Sequence, residues 1–274
     1  MCLEKPFELI TKNELTYLSF KRWHQDSQLI HCFTTRFGGV SKGELSSLNL
    51  GFNRGDTQDN VVQNYKNICE VLQIPFESLV LSKQVHETHI IKVTSEDKGN
   101  GVSYTNKWDS MDGMYTTEKE LTLVTHYADC VPLFFYAPKY AIIGMAHAGW
   151  RGTVNEIAKR FIEIWVNTER IPIESIEVAI GPSIGSCCFE TDKEVADIFI
   201  EQFGNHSFIA YNEDTKKYHI DLWACNQHVL INAGIKAQNI VTAGLCTSCH
   251  EDLFFSHRKS NGKRGTLGAF MALK

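Results

Sequence analysis

The chain has 274 residues, 43% hydrophobic and 22% charged, and its 27 basic and 32 acidic side chains leave a net charge of −5. This is a globular composition, long enough for one large domain or two small ones, and the acidic balance without a basic block excludes a nucleic-acid footprint. No apolar run reaches the roughly 20 residues of a membrane helix, and the first twenty residues carry charge without an apolar signal core, so the nine cysteines, an odd count, read as reduced thiols of a cytoplasmic protein.

In chain order, LIHCFTT (29–35) predicts a strand entering an RFGG turn. Residues 56–73 carry Val61, Val62, Tyr65, Ile68, Cys69 and Leu72 at helical spacing. Short β-type runs follow at 78–82, 89–93, 121–126, 132–136 and 140–146. Thr153 is a candidate N-cap for a helix to 167, with Val154, Ile157, Phe161 and Trp165 on one apolar face. A strand at 175–182, helices at 192–203 and 221–233 (the latter opened by Asp221), and strands at 239–243 and 265–271 complete the reading. There is no repeat, low-complexity tract or linker, and strands and helices do not alternate cleanly. The expectation is one mixed α/β domain over 1–274 with both parallel and antiparallel pairs.

Three segments carry chemistry: SKQVHETHI (82–90) with His86 and His89 on an expected strand, THYADCVPLFF (125–135) with His126, Asp129 and Cys130, and AHAGWRG (146–152) with His147. Two histidines and a cysteine at strand ends make a three-ligand zinc site with one position open, the pattern of catalytic rather than structural zinc. A second reading makes Cys130 a nucleophile and His147 its base; spacing does not separate the two, and each residue alone is more often a packing residue.

TTRFGGVS (34–41), SSLNLGFNRGD (46–56), KQVH (83–86), ADCVPLFF (128–135), AHAGWRGT (146–153), AIGPSIGSCCFE (179–190), DLWACNQHVLINAGI (221–235) and DLFFSHR (252–258) occur in that order. Together they resemble the YfiH/YlmD family, also called the laccase-domain or peptidoglycan-editing-factor family, over nearly the whole chain. The resemblance implies a four-layer α/β/β/α fold with mixed sheets, akin to the cytotoxic necrotizing factor deamidases. It implies a metal site of His86, Cys130 and His147, holding zinc or copper. It also implies purine nucleoside chemistry: phosphorolysis of adenosine and methylthioadenosine to base and ribose 1-phosphate, and deamination of adenosine. The sequence departs from the family pattern at Glu87, where a small residue is usual, and at SMDGMYTT (110–117).

Phosphorolysis needs an anion cradle. Arg36 with Gly38 and Gly39, and Arg54, are the basic-plus-glycine candidates, with a plain tight turn as the alternative for RFGG. Arg151, at the expected helix start, either adds positive charge for an anion or pairs with a carboxylate. Asn49, Asp112 and Asp129 are candidates to orient ribose or ligands, Asp129 as a partner for a histidine. CTSCH (246–250) matches a haem-attachment pattern, set aside for want of an export signal. Buried thiols are the default for Cys246 and Cys249, with a redox or second metal pair as the alternative; Cys187 and Cys188 read as structural, since a neighbouring pair rarely makes a good zinc site, and His250 and His257 as pocket-lining. The competing functions are a copper polyphenol oxidase, which the lack of any H-x-H pair among 11 histidines disfavours, a cysteine hydrolase or amidase acting on cell-wall precursors, and a nucleotide-binding protein. Oligomeric state is not legible.

Overall fold

The computed structural model describes residues 5–274. In chain order its elements are strands β1 (Phe7–Lys12), β2 (Leu15–Phe20) and β3 (Leu29–Thr34), helix α1 (Gln58–Leu72), strands β4 (Leu79–Leu81), β5 (Ile90–Lys92), β6 (Gly113–Thr116), β7 (Thr122–Tyr127), β8 (Val131–Ala137) and β9 (Ile142–Ala148), and helices α2 (Trp150–Val154) and α3 (Ile157–Asn167). Then come β10 (Glu177–Ile180), β11 (Glu190–Thr191), α4 (Lys193–Phe203), β12 (Ile209–Asn212), β13 (Lys217–Ile220), α5 (Leu222–Asn232), β14 (Ile240–Thr242) and β15 (Leu267–Leu273).

One six-stranded sheet has the order β1-β2-β3-β15-β7-β4 and the other β14-β10-β8-β9-β6-β5, with β11-β13-β12 as a small third sheet. Parallel pairs (β4 with β7, β5 with β6, β10 with β14) sit beside antiparallel ones, as expected. Period-2 alternation explains the layering. In β8, Phe134 and Tyr136 face the first sheet, while Val131, Leu133, Phe135 and Ala137 face the helices. In β15, Leu267, Ala269, Met271 and Leu273 face the second sheet and Phe270 packs under α1. The central strands thus bury both faces, and three apolar layers separate α1, the two large sheets and the remaining helices. This is the α/β/β/α order, with α1 alone on its side. Phe161 and Trp165 of α3 are fully buried, and Phe161 stacks on Phe135 with ring centroids 4.0 Å apart. Each such aromatic contributes roughly 2–3 kcal/mol by burial.

The predicted elements at 29–35, 56–73, 78–82, 89–93, 121–126, 132–136, 192–203, 221–233 and 239–243 are all present, with small shifts at their ends, and Asp221 caps α5 by accepting from the Ala224 amide. Two corrections follow. The predicted helix 153–167 begins at Trp150, and it breaks at Glu156, whose φ of 54° is left-handed. Thr153 is therefore an interior residue, and the helix end expected to face an anion at 153 does not exist. The hairpin β1–β2, together with β6 and the small sheet, was not expected. In β1 only Phe7 is buried, so an edge strand with charged residues shows little apolar alternation.

His31, on β3, is buried, and its Nε2 accepts the Phe20 amide at 2.9 Å. Burial, with His24 nearby, holds its pKa down from 6.5 to about 3. The unfolded chain gains this proton near the ordinary value while the folded chain does not. Stability is therefore whole above about pH 6.5 and falls as pH drops towards 3, by up to about 1.4 kcal/mol per pH unit. Replacing His31 with Gln is expected to flatten the pH dependence of urea-unfolding free energy between those limits; an unchanged slope refutes the assignment.

Candidate active site

The antiparallel register of β8 on β9 sets Pro132 opposite His147 and Val131 opposite Ala148. Cys130, the residue before β8, thereby lies beside the end of β9. The third residue arrives from the other sheet. The segment between β4 and β5 leaves the first sheet and joins the second, closing one end of the sandwich, and His86 projects from it. His86 is on a loop rather than a strand, with φ of 66°. His86, Cys130 and His147 bring their donor atoms within 4.8 Å of one another, with His86 Nε2 3.9 Å from the Cys130 sulfur. His89 points elsewhere, exposed, and pairs with Glu87 at 3.5 Å.

Two residues build this loop. Gln84 forms a two-way amide clamp with β7: its Nε2 donates to the His126 carbonyl and its Oε1 accepts the His126 amide, both at 2.7 Å. Asp112, fully buried, accepts the backbone amides of Val85, His86 and Glu87 at 3.0 Å each. Its Oδ1 also accepts from His147 Nδ1 at 2.9 Å. One carboxylate therefore shapes the His86 loop and fixes the His147 ring with Nε2 directed at the cluster. Gly149 completes the packing: a Cβ there would sit 3.0 Å from the His86 ring and 3.2 Å from the Cys130 sulfur.

Electrostatics favour the Cys130 thiolate, the ligating form of that residue, and a protonated His147, which would give up its Nε2 proton on binding a metal. Burial opposes ionisation of the Cys130 thiol, but the His147 and His86 imidazoles beside it outweigh that and hold it down at about 6. Burial disfavours the His147 cation, and the Cys130 thiolate and Asp112 reverse this, raising it to about 9. Asp112 is lowered, because His147 and the loop amides offset its burial. Two imidazoles and a thiolate, one imidazole oriented by a buried carboxylate, form a donor set that fits zinc with one position open.

The cluster lies in a cleft of about 1230 Å³, large enough for a nucleoside and an anion together. Arg54, His257, Arg258 and Arg264 line the same cleft. Arg264 is buried, its Nε lacks a hydrogen-bond partner, and burial with Arg54 nearby lowers its pKa only to about 10, so it stays charged. Among the described residues none of these arginines forms a close ion pair with a carboxylate, and Asp129 in the same cleft favours the charge on Arg264. His126 also lines the cleft, its Nε2 2.5 Å from the Tyr65 hydroxyl.

Except for Asp129, the other candidates lie outside the cleft. Arg36 donates to the Ser46 and Glu251 carbonyls at 3.0 and 2.8 Å and covers Phe255, so it ties loops together. Gly38 and Gly39 are pressed against Leu15 and against Ser47 and Leu48, as close backbone approach requires. Asn49 uses its side chain on Gly51, Asp56 and Thr266. Asp129 does line the cleft but does not serve a histidine: it accepts from Thr247 Oγ1 at 2.6 Å and from the Arg258 amide at 2.7 Å. Arg151 is exposed and covers the Trp150 ring. Of the expected anion residues only Arg54 reaches the cleft. Arg264 was missed, although KRGT (263–266) repeats the basic-plus-glycine signal that drew attention to RFGG.

No helix among the described residues is long and apolar enough to cross a membrane. Residues 30–274 match the family model described as multi-copper polyphenol oxidoreductase laccase. The purine nucleoside phosphorylase YlmD of Geobacillus stearothermophilus is 41% identical over 240 residues, 87% of this chain and 88% of that protein. YlmD of Bacillus subtilis, carrying the same name, is 36% identical over 98% of both chains. The crystal structure of the hypothetical protein YfiH from Bacillus licheniformis superposes with a TM-score of 0.89 at 34% identity, covering 98% of this chain and 99% of the other.

Proposed function

The chain belongs to the laccase-domain family of YfiH and YlmD proteins, and on that premise we propose that it is a metal-dependent purine nucleoside phosphorylase acting on adenosine and related nucleosides, methylthioadenosine included. One observation carries the reading: the His86–Cys130–His147 cluster and a wall bearing Arg54, Arg258 and Arg264 share one cleft. Phosphorolysis needs that pairing. A phosphate oxygen bonds to C1′ of ribose, the C1′–N9 bond breaks, and the purine takes the bonding pair and the proton phosphate gives up. Arg54 and Arg264 hold the phosphate anion. Buried Arg264 does so where water competes poorly, and His257 at the rim adds a hydrogen bond. Asp112 keeps His147 oriented throughout, and Gln84 keeps the His86 loop in place.

His86, Cys130 and His147 would hold a zinc ion, which when bound supplies a Lewis acid with an open position in the wall of the substrate cleft. Deamination of adenosine to inosine, in which water replaces the C6 amino group and ammonia leaves, would be a second activity of the same cleft when phosphate is absent. A multi-copper oxidase needs several adjacent copper sites. Among the described residues, one cluster of metal-ligating side chains contains histidine and the other is all cysteine, which weighs against that reading.

Product analysis tests the proposal. Zinc-loaded protein with adenosine and phosphate is expected to yield adenine and ribose 1-phosphate, and without phosphate, inosine. No product in either condition overturns it. Arg54→Gln, at an exposed position, is expected to raise KM for phosphate about tenfold, equivalent to about 1.4 kcal/mol, with KM for the nucleoside little changed. Equal effects on both would remove Arg54 from the anion site.

A further inference from the structure

Four cysteines outside the cleft meet although 57 residues lie between their two pairs in sequence. Cys187 and Cys188 lie in a tight turn in which the amides of Cys188 and Phe189 both bond to the Gly185 carbonyl. This turn rotates successive residues, so adjacent side chains reach one centre. Cys246 and Cys249 come from a second turn, closed by the His250 amide on the Cys246 carbonyl. All four sulfurs lie within 4.8 Å of one another, and Cys249 is 3.5 Å from both Cys187 and Cys188. A disulfide requires about 2 Å. Tetrahedral zinc with Zn–S of about 2.3 Å places its sulfurs about 3.8 Å apart, and the observed spacing is of that kind.

Two further features fit a metal-thiolate centre. The Gly185 amide donates to the Cys246 sulfur at 3.2 Å, a bond that stabilises thiolate charge. Gly185 is also required for the approach: a Cβ there would lie 3.0 Å from Trp223 and 3.3 Å from both the Cys187 sulfur and the Cys246 Cβ. Arg258 brings positive charge alongside, donating to the Cys188 and Glu190 carbonyls.

We propose that Cys187, Cys188, Cys246 and Cys249 bind a second zinc ion in a closed, structural tetrathiolate site. Four protein ligands leave no open position, in contrast to the three-donor cluster in the cleft. The ion staples the 185–189 turn to the 246–249 turn. Beside the staple the Thr247 amide bonds to the Ser183 carbonyl, and Ile184 and Thr247 hold Asp129, the residue before Cys130. Ile184 and Phe189 line the cleft. The staple therefore rigidifies the wall behind the cleft without touching substrate.

Metal analysis of the protein purified without chelator is the test, and it does not depend on activity. Two zinc ions per chain are expected, falling to one in Cys187→Ser or Cys249→Ser, both at exposed positions. Zinc-edge X-ray absorption of the wild type, which avoids the risk of misfolded variants, is expected to give an average of about two to three sulfur ligands per zinc rather than one. One zinc per chain, unchanged in both variants and with about one sulfur ligand, overturns the proposal. So does iron in place of zinc, or a Cys187–Cys249 disulfide in the mass of the alkylated native protein. Any of these leaves the phosphorylase reading untouched, since that rests on the other cluster.

Discussion

Cys130→Ala is expected to lower the phosphorolysis rate by at least about 10³-fold, or about 4 kcal/mol of activation free energy, and to remove one zinc ion per chain. On the proposed reading the thiolate is the anionic member of a three-donor site. Its loss leaves two imidazoles, one of them exposed, and no anionic donor. Loss of an outer-shell partner alone costs 10–100-fold in metal affinity or activity, and loss of a ligand costs more. The fold should survive, because Cys130 is only partly buried and its neighbour Asp129 makes the bonds that hold this turn. Rescue separates ligand from nucleophile. Cys130→Asp restores an anionic donor and is expected to recover part of the zinc binding and activity, whereas a nucleophilic thiol attacking a cell-wall amide would not be replaced by it. Protection of Cys130 from alkylation by zinc is the companion measurement. Full activity and full zinc in Cys130→Ala would sink the metal assignment.

Asp112→Asn is expected to weaken zinc at the same cluster by about 10–100-fold and to destabilise the fold by about 3 kcal/mol, the range for removing one partner from a buried charged network. The side chains are nearly isosteric, but Asn carries an N–H₂ that must face either His147 Nδ1 or the amides of Val85 and Glu87, all of which donate to Asp112. A donor would meet donors, and the His86 loop and the His147 ring would lose their common anchor. Zinc competition against a chelator, with urea unfolding of the metal-free protein, measures the two effects separately. Asp129→Asn is the control: its bonds run to Thr247 and Arg258, so it should lower stability while zinc affinity at the cluster holds. Wild-type zinc affinity in Asp112→Asn would rule out the orienting role.

The sequence by itself determined the elements whose signal is local. Val61, Tyr65, Ile68 and Leu72 all turn inward on α1, Asp221 caps α5, and the apolar runs of β7, β8 and β9 lie in the core, because helical spacing and apolar runs are properties of neighbours a few residues apart. Family motifs likewise singled out His86, Cys130 and His147 without stating their geometry. Only the tertiary structure decided which carboxylate serves them. Asp112 and Asp129 both look suitable in sequence, yet the β8–β9 register and the loop from β4 to β5 bring Asp112 to His147 and leave Asp129 to Thr247. It likewise put Arg264 rather than Arg36 in the cleft, broke the expected helix at Glu156, and drew two separate cysteine pairs into one cluster. The physical reason is common to all of these. Strand register and loop closure act between segments tens to hundreds of residues apart, and their energy lies in buried contacts and hydrogen bonds that no local pattern encodes.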